Sequence, residues 1–235
     1  SRDASAAVAA AAGAEVVRRP VPGGPAAARN AGLAAVRTPL VAFVDSDVRL
    51  PAGGLAGLLA HFNDPTVAVV APRVRGEMAG RADRLARYEV ARSPLDLGDH
   101  PGYVRPGNRV SFVPAAVLVA RTAAARSVGG FAEGLPVGED VDFVWRLAAA
   151  GGRVRYEPAV TAFHPARHDL RGFLAQRVGY GRSAALLHER HPGSVAPLRI
   201  SPWSAAVWGA GLAGFPRRAW AVGGRPVARL GRSLR

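Results

Sequence analysis

The chain has 235 residues, of which 49% are hydrophobic and 20% charged, and this is enough for one large domain with a buried core. It contains no cysteine, which excludes disulfides and thiolate chemistry and is typical of a cytoplasmic protein. The formal net charge of +14 is compatible with a nucleic acid, an anionic lipid or a phosphorylated substrate as partner. Because the 31 basic residues, all arginines, are spread along the chain without interleaved aromatic residues, we expect no nucleic-acid binding.

The first part of the chain alternates between helical and strand-like segments. In order, the pattern predicts a helix, a strand, a loop, a helix and a strand, over residues 6–12, 14–17, 18–24, 25–36 and 40–44. Asp3 or Ser5 can cap the first helix, and Gly13 ends it. Alternation of this kind predicts βαβ connections and a parallel sheet. Because the chain begins at Ser1 within a loop-like sequence, we expect a fragment whose first strand precedes Ser1.

The rest of the chain continues the alternation. Further helices are predicted over residues 53–62, 81–91, 122–128, 139–149 and 170–189. Further strands are predicted over residues 67–71, 117–119, 154–156 and 160–163, and the remainder of 72–109 is expected to be loop. On the helix over 139–149, Val141, Val144 and Ala148 form one apolar stripe, which predicts that this helix packs on the core.

The strand over 40–44 ends at a pair of carboxylates. Its five residues are all apolar, which predicts a buried central strand of a parallel sheet. Asp45 and Asp47 follow directly, and ligands of open α/β sheets bind at the carboxyl ends of the strands. Two carboxylates at such a turn can bind a hard cation, which in turn neutralises a diphosphate. The alternative is an ordinary solvated turn.

Four short motifs follow one another along the chain. They are Arg29-Asn30, Asp45-Ser46-Asp47, Gly129-Gly130-Phe131 and Gly138-Glu139-Asp140. In this order and spacing they resemble the family 2 glycosyltransferases of the GT-A fold, and the resemblance extends from residue 1 to about residue 164. Residues 177–185 and 190–193 further resemble the branch of that family found in mycofactocin systems. The resemblance implies an α/β, Rossmann-like nucleotide-diphospho-sugar transferase domain over residues 1–192, with a mixed, mostly parallel sheet flanked by helices.

The resemblance also implies a reaction and a set of site residues. The reaction is an inverting transfer of a sugar from a nucleotide diphosphate, with UDP-glucose expected, to a hydroxyl of a small-molecule or peptide-derived acceptor. Mg²⁺ or Mn²⁺ would offset the charge of the leaving diphosphate, and Asp140 would be the general base for the acceptor hydroxyl. The implied metal ligands are Asp45, Asp47 and His164. The implied donor-binding residues are Asp3, Arg29, Asn30 and Asp45, and the implied acceptor-side residues are Gly129, Gly130 and Glu139.

Each of these assignments has a structural alternative. Asp140 could serve only as a helix N-cap, and Arg29 with Asn30 could form a solvated helix face. His164 follows a predicted strand and could have a purely structural role. Gly129 and Gly130 most simply provide backbone freedom at a turn near the acceptor pocket.

The C-terminal region, residues 193–235, differs in composition from the rest. A Pro-containing linker over 192–202 precedes an apolar segment over 203–215, and arginines follow. The apolar segment is shorter than the roughly 20 residues that span a bilayer. It predicts either a helix packed on the domain or contact with a membrane surface, the latter favoured by Trp203 and the nearby arginines. We therefore expect a cytoplasmic protein with this segment at the inner face of the cell membrane.

Two other functions are compatible with the sequence. The apolar C-terminal run favours a transferase of the same fold that acts on a lipid or a polysaccharide. The expected loss of the first strand, together with the high positive charge, favours a non-catalytic fragment that binds a sugar nucleotide.

Overall fold

The computed structural model describes residues 3–78, 83–166, 169–195 and residue 213, and in these residues helices flank one mixed sheet. The helices are α1 Ser5–Ala11, α2 Gly24–Ala35, α3 Gly54–Leu59, α4 Arg84–Ala91, α5 Thr122–Ser127, α6 Glu139–Ala149 and α7 Leu170–Arg190. A 3₁₀ turn over Ala60–Asn63 extends α3. The strands are β1 Leu40–Val44, β2 Val67–Glu77, β3 Gly102–Tyr103, β4 Val117–Arg121 and β5 Arg153–Pro165. These bounds confirm the predicted helices to within a few residues.

The sheet has the strand order β1-β4-β2-β5-β3. Among the described strands only β2 and β5 pair in parallel, and the other pairs are antiparallel. The predicted mixed α/β sheet is therefore present, with less parallel pairing than we expected. The prediction that residues 40–44 form a buried central strand is wrong, because β1 lies at the edge of the described sheet and pairs antiparallel with β4. Its burial alternates along the strand, and Val44 is 51% exposed.

Two other predictions about strands are also wrong. Residues 14–17 form no strand, and Val16 and Val17 are exposed, because a strand requires a partner and no described strand pairs with this segment. The segments 154–156 and 160–163 are parts of the single strand β5, whose parallel partner β2 extends to Glu77 through residues expected to be loop. A break in register between Pro72 and Arg73 accommodates the residues that separate the two predicted strands.

The core consists of two apolar clusters, one on each face of the sheet. On one face the rings of Phe43, Phe131 and Phe143 are in mutual contact, with Phe131 stacked on Phe143 at a centroid distance of 4.3 Å. Phe43 lies on β1, Phe143 on α6, and Phe131 in the turn that follows α5. The three rings therefore hold the end of β1, the Gly129-Gly130-Phe131 turn and α6 against one another.

The described helices include none that is both long and apolar enough to cross a membrane. The apolar segment predicted over residues 203–215 lies outside the described residues except for Ala213. Its contact with a membrane and the boundary at residue 192 therefore stay predictions.

We expect Phe131→Ala to lower the free energy of unfolding by about 3–5 kcal/mol, because the side chain is almost fully buried and its removal leaves a cavity among the aromatic rings. Urea unfolding followed by circular dichroism measures this difference. Leu170→Ala, at a position that is 61% exposed, is the control and should change stability by less than about 0.5 kcal/mol. Equal effects of the two substitutions would contradict the packing described here.

Candidate active site

Arg29 joins two of the predicted motifs. From α2, its Nη2 donates to Oδ1 of Asp45 at 2.7 Å, and its Nη1 donates to Oε1 of Glu139 at 2.8 Å. The guanidinium also lies over the ring of Phe131, 5.4 Å from its centroid. Burial opposes the charged form, but the two carboxylates outweigh it and raise the pKa of Arg29 above its ordinary value. The end of β1 and the start of α6 are therefore connected by one permanently charged side chain.

Asp140 follows Glu139 in the first turn of α6. Gly138 occupies the cap position with φ of 89°, a left-handed conformation that favours glycine, so Asp140 is not the N-cap of this helix. The Asp140 carboxylate accepts hydrogen bonds from the backbone N–H groups of Val141, at 2.8 Å, and Ala115, at 3.3 Å. The neighbouring carbonyl of Ala116 accepts from the N–H of Asp45 at 2.9 Å. The segment before β4 thus links the predicted base to the Asp45 backbone.

The environment of Asp140 favours its protonated form. Burial is the main cause, and the adjacent charge of Glu139 adds to it, while the two backbone N–H groups and Arg29 act in the opposite direction. The result raises the pKa of Asp140 from 3.8 to about 6. A carboxylate with this pKa is still mostly ionised at neutral pH and is a stronger base than an ordinary aspartate, which are the properties a general base requires.

Asp140 also lines a largely apolar cavity of about 370 Å³. The cavity lies between α6 and α7 and is also lined by residues of the segments 94–95, 111–114 and 194–195. Trp145 of α6 forms part of the wall, and its indole N–H donates to the carbonyl of Ser111 at 2.6 Å. A ligand in this cavity would have apolar contacts on most sides and one carboxylate within the lining.

Asp47 and His164 lie together at the ends of β1 and β5. Backbone hydrogen bonds between Arg49 and Phe163, both of 2.9 Å, bring the two segments side by side. His164 Nε2 lies 3.4 Å from Oδ2 of Asp47, and its Nδ1 lies 2.8 Å from the carbonyl oxygen of Pro165. Because a carbonyl can only accept, Nδ1 donates to Pro165, and Nε2 is the ring nitrogen that faces the Asp47 carboxylate.

That arrangement suits a cation between the two side chains. The described residues contain no group of three or more Asp, Glu, His or Cys side chains arranged for a metal ion, and the Asp45 carboxylate is paired with Arg29. Two protein ligands are nevertheless sufficient for Mg²⁺ or Mn²⁺ when a substrate phosphate and water complete the coordination. Asp47 and His164 are therefore compatible with the predicted divalent metal, and the assignment of Asp45, Asp47 and His164 as its ligands stays a prediction.

Asn30 holds the Gly129-Gly130-Phe131 turn. Its side-chain Oδ1 accepts from the N–H of Phe131 at 2.8 Å, and its Nδ2 donates to the carbonyl of the same residue at 2.9 Å. Gly130 has φ of 68°, and a Cβ there would lie 2.4 Å from Asn30 Oδ1. Only glycine allows this approach. The structure thus gives Asn30 and Gly130 a positioning role, and their direct contact with donor or acceptor stays a prediction.

Asp3 is the predicted site residue that the structure does not connect to the others. It lies in the exposed segment before α1, where its Oδ1 accepts from the N–H of Ser5 at 3.1 Å. Hydrogen bonding to the side chain and to the backbone N–H of Ser5 lowers the pKa of Asp3. The described contacts of Asp3 are local, and its role in donor binding stays a prediction.

Asp142 is a buried residue of α6 whose contacts the sequence analysis did not predict. It is completely buried in α6, where its carboxylate accepts hydrogen bonds from Arg146, Arg190 and His191. The spacing of Asp142 and Arg146, four residues apart on a helix, could have indicated the first of these pairs. No local pattern indicates the contacts with α7, which lie almost fifty residues away in the chain.

The chain is similar to known proteins in both sequence and structure. Residues 40–224 match the profile described as "Glycosyl transferase family group 2". The chain is 48% identical over 221 residues to the pre-mycofactocin glycosyltransferase of Mycobacterium tuberculosis, in two strains; the match covers 92% of the chain and 47% of the relative. The chain thus spans about half the length of the curated relatives it matches.

Two solved structures show the same fold. TarS from S. aureus has a TM-score of 0.59 at 17% identity, over 94% of this chain and 60% of that one. The mannosyltransferase from Pyrobaculum calidifontis, in complex with GDP-Man and Mn²⁺, has a TM-score of 0.52 at 21% identity, over 94% of this chain and 66% of that one. These likenesses confirm the predicted GT-A fold.

The raised pKa of Asp140 predicts a stability difference that depends on pH. The folded protein holds this proton up to a pH of about 6, whereas the ordinary value of 3.8 applies after unfolding. The folded state is therefore favoured at low pH, and this contribution is lost as the pH rises from about 4 to 6. Above that range, we expect Asp140→Asn to be about 2–3 kcal/mol more stable than the wild type, since asparagine has no charge to bury.

Urea unfolding of both proteins at pH 4 and pH 7.5 checks this expectation. The difference should be present at the higher pH and should nearly vanish at the lower one. Glu189→Gln, an exposed change on α7, is the matched control and should show no such dependence. A stability difference between Asp140→Asn and the wild type that is the same at both pH values would contradict a raised pKa.

Proposed function

Because the chain belongs to glycosyl transferase family group 2, we propose that it is an inverting glycosyltransferase that moves a sugar from a nucleotide diphosphate to an acceptor hydroxyl. The observation that supports this proposal is that Arg29 pairs with both Asp45 and Glu139, while the segment before β4 is hydrogen bonded to Asp140 and to the Asp45 backbone. The relative from Mycobacterium tuberculosis is a pre-mycofactocin glycosyltransferase, and we propose pre-mycofactocin as the acceptor of the present chain too. UDP-glucose is the proposed donor, as the sequence resemblance implied.

On the donor side, the leaving group is a diphosphate and its negative charge must be offset. Asp47 and His164 would hold Mg²⁺ or Mn²⁺, which supplies this charge when bound. Support comes from the position of His164, whose Nε2 lies 3.4 Å from Oδ2 of Asp47. Arg29 adds a fixed positive charge beside Asp45 in the same cleft.

On the acceptor side, Asp140 removes the proton of the attacking hydroxyl. The oxygen then forms its bond to the anomeric carbon as the bond from that carbon to the diphosphate breaks, and the proton remains on the Asp140 carboxyl group. The largely apolar lining of the cavity next to Asp140 suits an acceptor whose body is largely apolar. The position of the carboxylate at this cavity supports the assignment of Asp140 as the base.

A second candidate is transfer to a lipid or a polysaccharide. The apolar lining of the cavity favours a lipid among these, and a polysaccharide would find few hydrogen-bonding groups in it. Assays with UDP-[¹⁴C]glucose and a panel of pre-mycofactocin, a polyprenyl phosphate and a β-glucan separate these acceptors by the product that becomes labelled. Labelling of the lipid alone would replace the proposed acceptor.

Asp140→Asn should abolish transfer and leave donor binding intact, because the amide cannot accept the proton but preserves the shape of the side chain. We expect a loss in kcat of at least about 10²-fold, within the range for removal of a general base. For the wild type, the rate of transfer should fall as the pH drops below about 6, where Asp140 becomes protonated. Turnover of Asp140→Asn at the wild-type rate would reject Asp140 as the base, and donor binding without transfer in the wild type would favour the non-catalytic function.

Asp47→Asn should weaken the Mn²⁺-dependent binding of UDP by at least about tenfold, since it removes one of two protein ligands of the metal. Isothermal titration calorimetry with UDP, in Mn²⁺ and in EDTA, measures the effect. Asp140→Asn is the matched control, because it makes the same chemical change on the acceptor side. Equal binding by Asp47→Asn and the wild type in Mn²⁺ would show that the metal site lies elsewhere.

A further inference from the structure

Helix α7 packs closely on Gly138, the residue that precedes α6 and the predicted base. A Cβ on Gly138 would lie 3.1 Å from Leu187 Cδ1 and 3.3 Å from Ser183 Cβ, so the residue just before Glu139 and Asp140 is in direct contact with α7. One turn earlier on the helix, Gly179 faces Val137. The small residues in the segment 177–185 thus allow α7 to approach the start of α6. As a result, α7 forms one wall of the cavity that Asp140 lines.

The C-terminal end of α7 is tied to α6 by buried polar contacts. Oδ1 of Asp142 accepts from Arg190 Nε at 2.8 Å and from His191 Nε2 at 2.9 Å. Burial opposes ionisation of Asp142, but its hydrogen bonds from Arg190, Arg146 and His191 outweigh this and lower its pKa. These donors restrict the position of the buried Asp142 carboxylate and of the residues bonded to it. If one donor moves away, part of the buried negative charge is left without a hydrogen bond, which costs free energy.

The same carboxylate reaches the other parts of the site. Its Oδ2 accepts from Arg146, which also donates to the carbonyls of Val128 and Gly130 in the turn held by Asn30. The ring of His191 contacts the edge of Trp145 at a centroid distance of 5.2 Å, and Trp145 lines the cavity. Displacement of His191 would therefore affect the cavity wall from both α6 and α7.

We propose that Asp142, Arg190 and His191 form a latch that fixes α7 as the acceptor-side wall of the cleft. This inference rests on the proposed function, and it assigns positioning roles to residues that touch neither donor nor metal. The latch acts on the acceptor through the position of α7 and Trp145. Asp47 follows β1 and His164 lies on β5, and the described hydrogen bonds of Asp142, Arg190 and His191 include none to either residue. Loss of the latch should thus weaken acceptor binding and leave donor binding unchanged.

The test uses His191→Leu in the full chain, with UDP-glucose as donor and pre-mycofactocin as acceptor. Leucine retains an apolar contact with Trp145 but cannot donate to Asp142. We expect the acceptor KM to rise about tenfold, while the donor KM and the slow hydrolysis of donor without acceptor stay within about twofold of the wild type. His191→Gln, whose amide N–H can replace the ring donor, should restore most of the loss. His188→Leu makes the same change at an exposed position of the same helix and should behave as the wild type.

A second variant and a second readout guard against a general loss of folding. Arg190 is 46% exposed in its side chain, so Arg190→Gln removes one latch contact without opening the core. In both latch variants, amide hydrogen exchange should increase in peptides that cover α7 and residues 137–145, and stay unchanged in β2 and β4. A uniform increase in all peptides, or an acceptor KM equal to the wild type in both variants, would overturn the latch while the proposed function stands. A wild type that transfers no sugar would instead overturn the proposed function, and this assignment with it.

Discussion

The cleft depends on the guanidinium of Arg29, which is the cation between two carboxylates from distant parts of the chain. Its pair with Glu139 is the more buried, since the two side chains are 13% and 11% exposed, whereas Asp45 is 38% exposed. Partly exposed pairs are screened by water and contribute little, while removal of one partner from a buried pair leaves an uncompensated charge. The contact with Glu139 is therefore the stronger constraint. It keeps the start of α6, and with it Asp140, against α2, and the contact with Asp45 connects both to the end of β1.

Asn30, the next residue of α2, makes a second set of contacts. Successive residues on a helix point about 100° apart, so Arg29 and Asn30 reach different parts of the structure. Arg29 reaches the cleft, and Asn30 holds the backbone of Phe131 in the turn that Arg146 also contacts through the carbonyl of Gly130. Arg146 in turn pairs with Asp142. Polar contacts thus connect α2, the turn, α6 and α7 around the packed aromatic rings.

Two aspartates in the first turn of α6 have opposite properties because of their surroundings. Asp140 has only backbone donors and a neighbouring negative charge, and its pKa is raised to about 6. Asp142 is hydrogen bonded to Arg190, Arg146 and His191, and its pKa is lowered despite complete burial. Such a separation is typical of sites in which one carboxylate reacts and another holds the structure. The buried charge without a side-chain partner, which lowers stability, is therefore on Asp140, the residue with the proposed chemical role.

The sequence by itself determined the helices, the order of the motifs and the position of Asp45 and Asp47 at the end of a strand. These features follow from local rules, namely apolar periodicity and the placement of glycine and proline. Tertiary structure alone decided that β1 lies at the edge of the described sheet, that residues 14–17 are not a strand, and that Asp142 contacts the end of α7. Strand pairing and buried ion pairs join residues far apart in the chain. Their energy depends on which residues the fold brings together, so no local pattern specifies them.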